Sequence, residues 1–150
     1  MLAGTKHEQG YASEDELVAE FSRQLSLGTP LRVDMMAREF DYGSGRVDVI
    51  ASSRGGIHAF EAKLYRWREA LQQATRARSF ADYVYVVIPH ASRFAALRYR
   101  QEFVRRGVGI VTVGRESGSC LELDAVVNRP PLAWLTDRAH LAMLEDKSVL

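Results

Sequence analysis

Arg46-Val47-Asp48-Val49-Ile50-Ala51 is followed, after Ser53-Arg54-Gly55-Gly56, by Ile57-His58-Ala59-Phe60-Glu61-Ala62-Lys63-Leu64, and these two stretches decide how the chain is read. Both look like apolar strands interrupted by ionised side chains. The Gly-Gly turn between them predicts a hairpin over 46–52 and 57–64. Strand side chains alternate between faces, which puts Glu61 and Lys63 on one face, about 7 Å apart. Asp48 lies on the partner strand. Two carboxylates and an ammonium on a half-buried sheet are costly unless a cation or a reaction uses them. The competing arrangement is an edge hairpin whose core face is Val47, Val49, Phe60, Ala62 and Leu64. Its charged face, with a Glu61–Lys63 ion pair, would then lie in water.

Outward from the hairpin the pattern is α/β. Residues 1–12 form a polar lead-in. Ser13 is an N-cap for a helix over 14–26, with Glu14, Asp15 and Glu16 at its positive end and Leu17, Val18, Phe21 and Leu25 on its apolar side. Leu31 to Phe40 is a strand, and Asp41-Tyr-Gly-Ser-Gly45 a turn. Trp67 to Phe80 lacks Gly and Pro and predicts a helix whose narrow face is Ala70, Leu71, Ala74, Ala77 and Ala81. Strands at 83–88, 108–113 and 121–127 and helices at 92–106 and 132–145 complete the order, with Gly107 as a C-cap. Such an order predicts a mixed sheet with helices on its faces.

The length of 150 residues predicts one domain over 1–150, with a core at about 13–127 and a helical extension at about 132–145. The longest uncharged apolar run, Val84 to Ile88, is too short to cross a bilayer. The first residues lack the apolar stretch of a signal peptide, and Cys120 has no partner for an intrachain disulfide; both point to a reducing cytoplasm. Cys120, after Gly118-Ser119, reads as structural. The net charge of +1 hides an uneven distribution. Residues 1–53 carry −4, residues 54–106 carry +7 and residues 107–150 carry −2. A basic middle can face a polyanion, or simply be a pair of solvated Arg-rich helix faces.

Asp48 and Glu61 are hard oxygen donors, suited to Mg²⁺ or Mn²⁺. Lys63 could orient or help deprotonate a metal-bound water, or neutralise charge developing on a phosphate. That is equipment for hydrolysing a phosphodiester. His58 falls on the face of Phe60, Ala62 and Leu64 and reads as a core histidine. Tyr65 and Trp67 stand beside these residues, where they could pack or stack on an exposed base.

Asp48, then twelve residues, then Glu61-Ala62-Lys63 resembles the active-site signature of the PD-(D/E)XK nuclease superfamily. The order of elements over about 13–113 is similar to that family's α-β-β-β-α-β core, closest in character to small Holliday-junction resolvases and RecB-type nuclease modules. The resemblance implies a restriction-endonuclease-like three-layer α/β/α fold around a central mixed β-sheet. It implies Asp48, Glu61 and the Ala62 carbonyl as ligands of Mg²⁺ or Mn²⁺ and Lys63 as the catalytic lysine. A first-helix glutamate would join them, for which Glu14 is preferred over Glu20 and Glu16. A glutamine of the following helix would also take part, Gln73 rather than Gln72. The tyrosine that often follows four residues later is replaced here by Ala77, and Val47 stands where the motif's proline would precede Asp48. On this resemblance Arg66, Arg68, Arg76 and Arg78 become phosphate-contact candidates, joined by Arg93, Arg98, Arg100, Arg105 and Arg106 on the next helix. The expected activity is metal-dependent cleavage of nucleic acid, DNA above all. Since many duplex cutters pair two sites, a homodimer is compatible with it.

Two rival functions fit the same residues. One is a catalytically inactive nuclease-like domain that binds DNA or another protein. The other is a scaffold domain that dimerises through the hairpin face or the 132–145 helix.

Overall fold

The computed structural model describes residues 10–53 and 55–146. The first nine residues of the expected polar lead-in and Arg54 of the hairpin turn lie outside the described residues. A six-stranded mixed sheet runs in the order β1-β2-β3-β4-β5-β6. The strands are β1 (Met35–Asp41), β2 (Arg46–Ser53), β3 (Gly56–Ala62), β4 (Tyr83–Pro89), β5 (Gly109–Gly114) and β6 (Gly118–Leu123). β1, β2 and β3 form an antiparallel meander, β3, β4 and β5 are parallel, and β6 returns antiparallel to β5. The parallel pairs require crossovers, and helices supply them.

The helices make the outer layers. α1 (Glu14–Ser26) covers one face of the sheet, packing Leu17, Val18, Phe21 and Leu25 on Met36, Val49, Phe60, Val87 and Val111. Phe21 lies 4.9 Å from Phe60, centroid to centroid. Ser13 caps α1 by accepting a hydrogen bond from the Glu16 amide at 3.1 Å. The other face carries α2 (Trp67–Arg76), α3 (Arg93–Leu97), α4 (Arg100–Arg106) and α5 (Ala133–Glu145). Ala70, Leu71 and Ala74 of α2, Phe103 of α4 and Leu135, Ala139 and Met143 of α5 close over Ala37, Ile50, Ala59, Val86 and Ile110. The small residues of α2 let its backbone approach the sheet closely. Each fully buried Leu, Ile or Phe contributes about 1.5–3 kcal/mol to holding the layers together.

Several boundaries differ from the sequence expectation. β1 begins at Met35 rather than Leu31, because 31–34 carries no ladder. β3 ends at Ala62, although the Lys63 amide still donates to the Val87 carbonyl at 3.0 Å. α2 stops at Arg76 and tightens into a 3₁₀ turn over Ala77–Ser79. The helix expected over 92–106 is broken at Arg98-Tyr99 into α3 and α4; α4 ends on Gly107 in the left-handed conformation (φ 71°). β6 lies at 118–123 rather than 121–127, so Cys120 sits mid-strand, half-buried and unbridged.

The larger correction concerns the hairpin's faces. No charged face lies in water: both sides of β3 are covered, and Glu61 is only 7% exposed. Val47 packs under α2 while Val49 packs under α1. Simple alternation would place both on one side. The same inversion occurs opposite, where Ala37 and Phe40 share the α2 side although three residues apart. Between them Glu39, across from Asp48 in the register, adopts φ 56°. Its kink turns the outer ends of β1 and β2 over and leaves Asp48 at the crossover point.

A left-handed residue with a Cβ costs about 1–2 kcal/mol, and the Glu39 side chain is 73% exposed, 3.9 Å from Arg46. Urea unfolding should therefore find Glu39→Gly more stable than the parent by up to about 1 kcal/mol, and Glu39→Val clearly less stable.

Candidate active site

Asp48 and Glu61 meet where the β2–β3 ladder opens. Their backbones pair regularly from Ser53 with Gly56 to Val49 with Phe60. One step further the Ala62 amide donates to the Asp48 carboxylate, at 2.8 Å to Oδ2. That bond fixes the carboxylate in the gap between strands. A strand residue's N–H and C=O point to the same side, so the Ala62 carbonyl opens toward Asp48 as well. Glu61, in step with Ile57 and Ala59, is on the α2 side.

The two carboxyl groups share one electrostatic environment. Burial raises the Glu61 carboxyl most, the Asp48 charge adds to this, and Glu14 pushes the same way. Lys63 and the Asp48 amide oppose it, and the outcome is a pKa of about 8. Burial is also the main cause lifting Asp48; the Ala62 amide and Lys63 pull it down, while Glu14 and Glu39 push it up. Lys63 stands between the first turns of two helices. Its Nζ is 3.1 Å from Glu69 Oε1 on α2 and 3.8 Å from Glu14 Oε1 on α1, with the side chain 17% exposed. Burial works to neutralise it, but the Glu69 hydrogen bond and the charges of Glu14, Glu69 and Glu61 outweigh burial and raise its pKa. Lys63 is therefore a firm ammonium.

Of the first-helix glutamates, only Glu14 faces Lys63. Glu16 is held by Arg115, and Glu20 by Arg23 at 2.7 Å and Gln24 at 2.6 Å. Gln73 follows Glu69 by one helical turn and Arg76 follows by another, so the three line one side of α2. The Gln73 Oε1 is buried and has no hydrogen-bond partner among the described residues, whereas Gln72 is exposed. Arg66 is 82% exposed and 3.9 Å from Glu69, and Arg76 is exposed. The other two arginines depart from the expectation of free phosphate contacts. Arg68 is paired with Glu102 at 3.3 Å and lies over Trp67 and Tyr99. Arg78 donates to the Arg106 carbonyl and to Asn128, clamping the end of α4 to the segment after β6. Trp67 packs on Tyr99 and Phe103, while Tyr65 stays 82% exposed. His58 is buried in a stack with Tyr83 and Phe60, its Nε2 2.7 Å from the Ser53 hydroxyl.

Two neighbours escaped the sequence reading. Glu69 is one; its position in the first turn of the helix just after Lys63 was the available signal. Tyr42 is the other, hidden inside a turn sequence. Its ring is buried against Phe80 at 5.2 Å. A Cβ on Gly45 would come within 2.7 Å of its hydroxyl, so glycine is needed there. Burial first, then the Glu61 charge, pushes the Tyr42 phenol up, against the pull of Arg76.

Asp48, Glu61, Glu14 and Glu69 thus surround Lys63, an excess of negative charge that suits a cation. No group of three or more His, Cys, Asp or Glu is arranged as a ready-made metal site among the described residues. The donors that fit are two carboxylates and a backbone carbonyl, a partial shell of the kind Mg²⁺ completes with water and phosphate oxygens.

No protein-family model matches the chain. No curated protein matches it either. Among solved structures it is similar to a protein of unknown function from Silicibacter pomeroyi, SPO1766, at 14% identity and a TM-score of 0.58, covering 84% of this chain and 82% of that one. The likeness is one of fold: three-layer α/β, with a mixed sheet flanked by helices. No helix among the described residues is long and apolar enough to cross a membrane.

A carboxyl with a higher pKa folded than unfolded stabilises the fold fully below its unfolded value of 4.5 and loses that contribution as pH climbs through about 8. Glu61→Gln removes the loss. In metal-free buffer its Tm should exceed the parent's by at least about 2–4 °C at pH 8.5, corresponding to about 1 kcal/mol. The difference should vanish near pH 4.5, and Mg²⁺ should raise the parent's Tm and not the variant's.

Proposed function

We propose that this protein is a divalent-metal-dependent nuclease of restriction-endonuclease-like fold, hydrolysing phosphodiester bonds, in DNA above all. The observation that carries the reading is the pair of carboxylates, Glu61 buried and Asp48 half-buried, sharing Lys63 and Glu14 at one end of the sheet. The strand order supports it: an antiparallel meander followed through α2 by a parallel β4 is the arrangement that the PD-(D/E)XK resemblance implies.

Asp48, Glu61 and the Ala62 carbonyl would hold Mg²⁺ or Mn²⁺. The ion supplies Lewis acidity toward the phosphate and lowers the pKa of a bound water. Lys63 does not abstract a proton, because its acidic neighbours keep it charged. It offsets negative charge developing on the phosphate as water displaces the 3′ oxygen in line. Glu14 and Glu69 hold the Lys63 chain in place, Gln73 offers an amide from the same side, and Arg66 and Arg76 receive neighbouring phosphates.

One observation favours a second reading. Lys63 is clamped by two carboxylates, and no three-acid group is preassembled among the described residues. A non-catalytic nuclease-like domain that binds nucleic acid or another protein would look the same.

Oligonucleotide cleavage with Mg²⁺ or Mn²⁺ separates the two. Asp48→Ala, Glu61→Ala and Lys63→Ala should each lower the rate about a hundred-fold or more, and chelation should abolish it. Equal cleavage by all four proteins, or salt-sensitive binding with no cleavage by any, would overturn the catalytic reading.

A further inference from the structure

Tyr65 belongs to two cavities at once. One, of about 240 Å³, is polar and lined by Glu14, Lys63, Tyr65, Arg66 and Glu69. The other, also about 240 Å³, is lined by Tyr11, Leu64, Tyr65, Pro89, Ala91 and Ser92. Its walls come from the chain leaving β3, the chain leaving β4 and the approach to α1. They mix apolar carbon from Leu64, Pro89 and Ala91 with polar atoms, the Ser92 hydroxyl among them. The Tyr11 wall is fixed: its hydroxyl donates to the Val113 carbonyl at 3.3 Å, and the Arg115 guanidinium lies 4.4 Å over its ring. Lys63 and Leu64 are consecutive, so the two cavities adjoin within one residue step, about 3.8 Å between Cα atoms.

We propose that the Tyr65–Pro89 cavity is a subsite for one unpaired nucleobase of the strand whose phosphate lies at Lys63, with Tyr65 as its stacking platform. The inference rests on the phosphodiester reading of the neighbouring site and names its substrate as single-stranded or locally unpaired nucleic acid. Three observations lead there. Next door Arg66, 82% exposed and 3.9 Å from Glu69, can reach a backbone phosphate at the mouth of the cavity that Lys63 lines. Tyr65, 82% exposed at the rim, packs little of its ring against the protein, which leaves it open to a flat ligand. The cavity's volume falls below the ~300–1,000 Å³ of drug-sized ligand pockets, so it admits one base and not a base pair. A base within a duplex would first have to be unstacked and unpaired, at a cost of a few kcal/mol.

The test is equilibrium binding of a single-stranded oligonucleotide containing 2-aminopurine, whose fluorescence falls when the base stacks, measured with Ca²⁺ to suppress turnover. The parent should bind with quenching and prefer the single strand to the same sequence as a blunt duplex. Tyr65→Ala should bind at least about five-fold more weakly and lose the quench, with an unchanged Tm because the side chain is exposed. Tyr65→Phe should retain both. No single-strand binding by the parent, equal binding and quench in Tyr65→Ala, or equal affinity for duplex and single strand would each overturn the subsite. Cleavage with Mg²⁺ run in parallel keeps the two readings apart. Tyr65-dependent quenching without cleavage sinks the nuclease and leaves the subsite; cleavage with no dependence of binding on Tyr65 does the reverse.

Discussion

Two carboxylates brought together at one end of the sheet, between its covering helices, are the constraint on which the rest of this structure turns. Burial raises both carboxyls and the Asp48 charge raises Glu61 further, while Lys63, which opposes both shifts, is already engaged by Glu14 and Glu69. A core built only for stability would replace such a group with apolar side chains at little loss or a gain. The chain instead commits local backbone to it. Glu39 takes a left-handed conformation opposite Asp48, and the Ala62 amide leaves the regular ladder to bind the Asp48 side chain. These departures from ideal strand geometry coincide with the buried charge, as expected where function and not packing sets the local structure.

The acids also decide what the lysine can do. An isolated, partly buried ammonium would drift toward the neutral form. Here the surrounding carboxylates reverse that tendency. The first turns of α1 and α2 supply Glu14 and Glu69, which are favourable partners for the positive helix ends at which they sit. The same ends, with Lys63 and Arg66, favour an incoming anion, while Asp48 and Glu61 favour a cation. On the proposed nuclease reading, a phosphate bridged to a metal ion would satisfy both tendencies, and neither ion alone would.

Much of this was legible in the sequence because the informative residues break a local rule. Ionised side chains inside the apolar 46–51 and 57–64 stretches stand out by composition alone, and Glu14 by its place ahead of Leu17 and Val18. Alternation failed at Val47 and Val49, because the flip comes from the φ of Glu39, a residue with no left-handed preference of its own. Arg78 could not be sorted from Arg76 in the sequence. The helix ends between them, at Arg76, and the 3₁₀ turn that follows directs Arg78 to Asn128, fifty residues on. The break at Arg98-Tyr99 was invisible for a similar reason: no Gly or Pro marks it, and Tyr99 there packs on Trp67, thirty-two residues back.

The position of the site explains how a buried acidic pair can still be reached. Lys63, Pro89 and Gly114 all follow or close parallel strands at their carboxyl ends, where chain leaves the sheet and crevices form between successive turns. Over the middle of β3 both faces are sealed, by α1 on one side and α2 on the other. At this end the cover gives way to the first turns of those two helices and to the loop carrying Tyr65. The aromatic side chain left in solvent and the carboxyl groups withheld from it are thus neighbours at one rim. On the proposed reading, a nucleic-acid strand approaching along that rim would meet the exposed Tyr65 and Arg66 before Glu61, so that contact with base and phosphate would precede contact with the withdrawn acids.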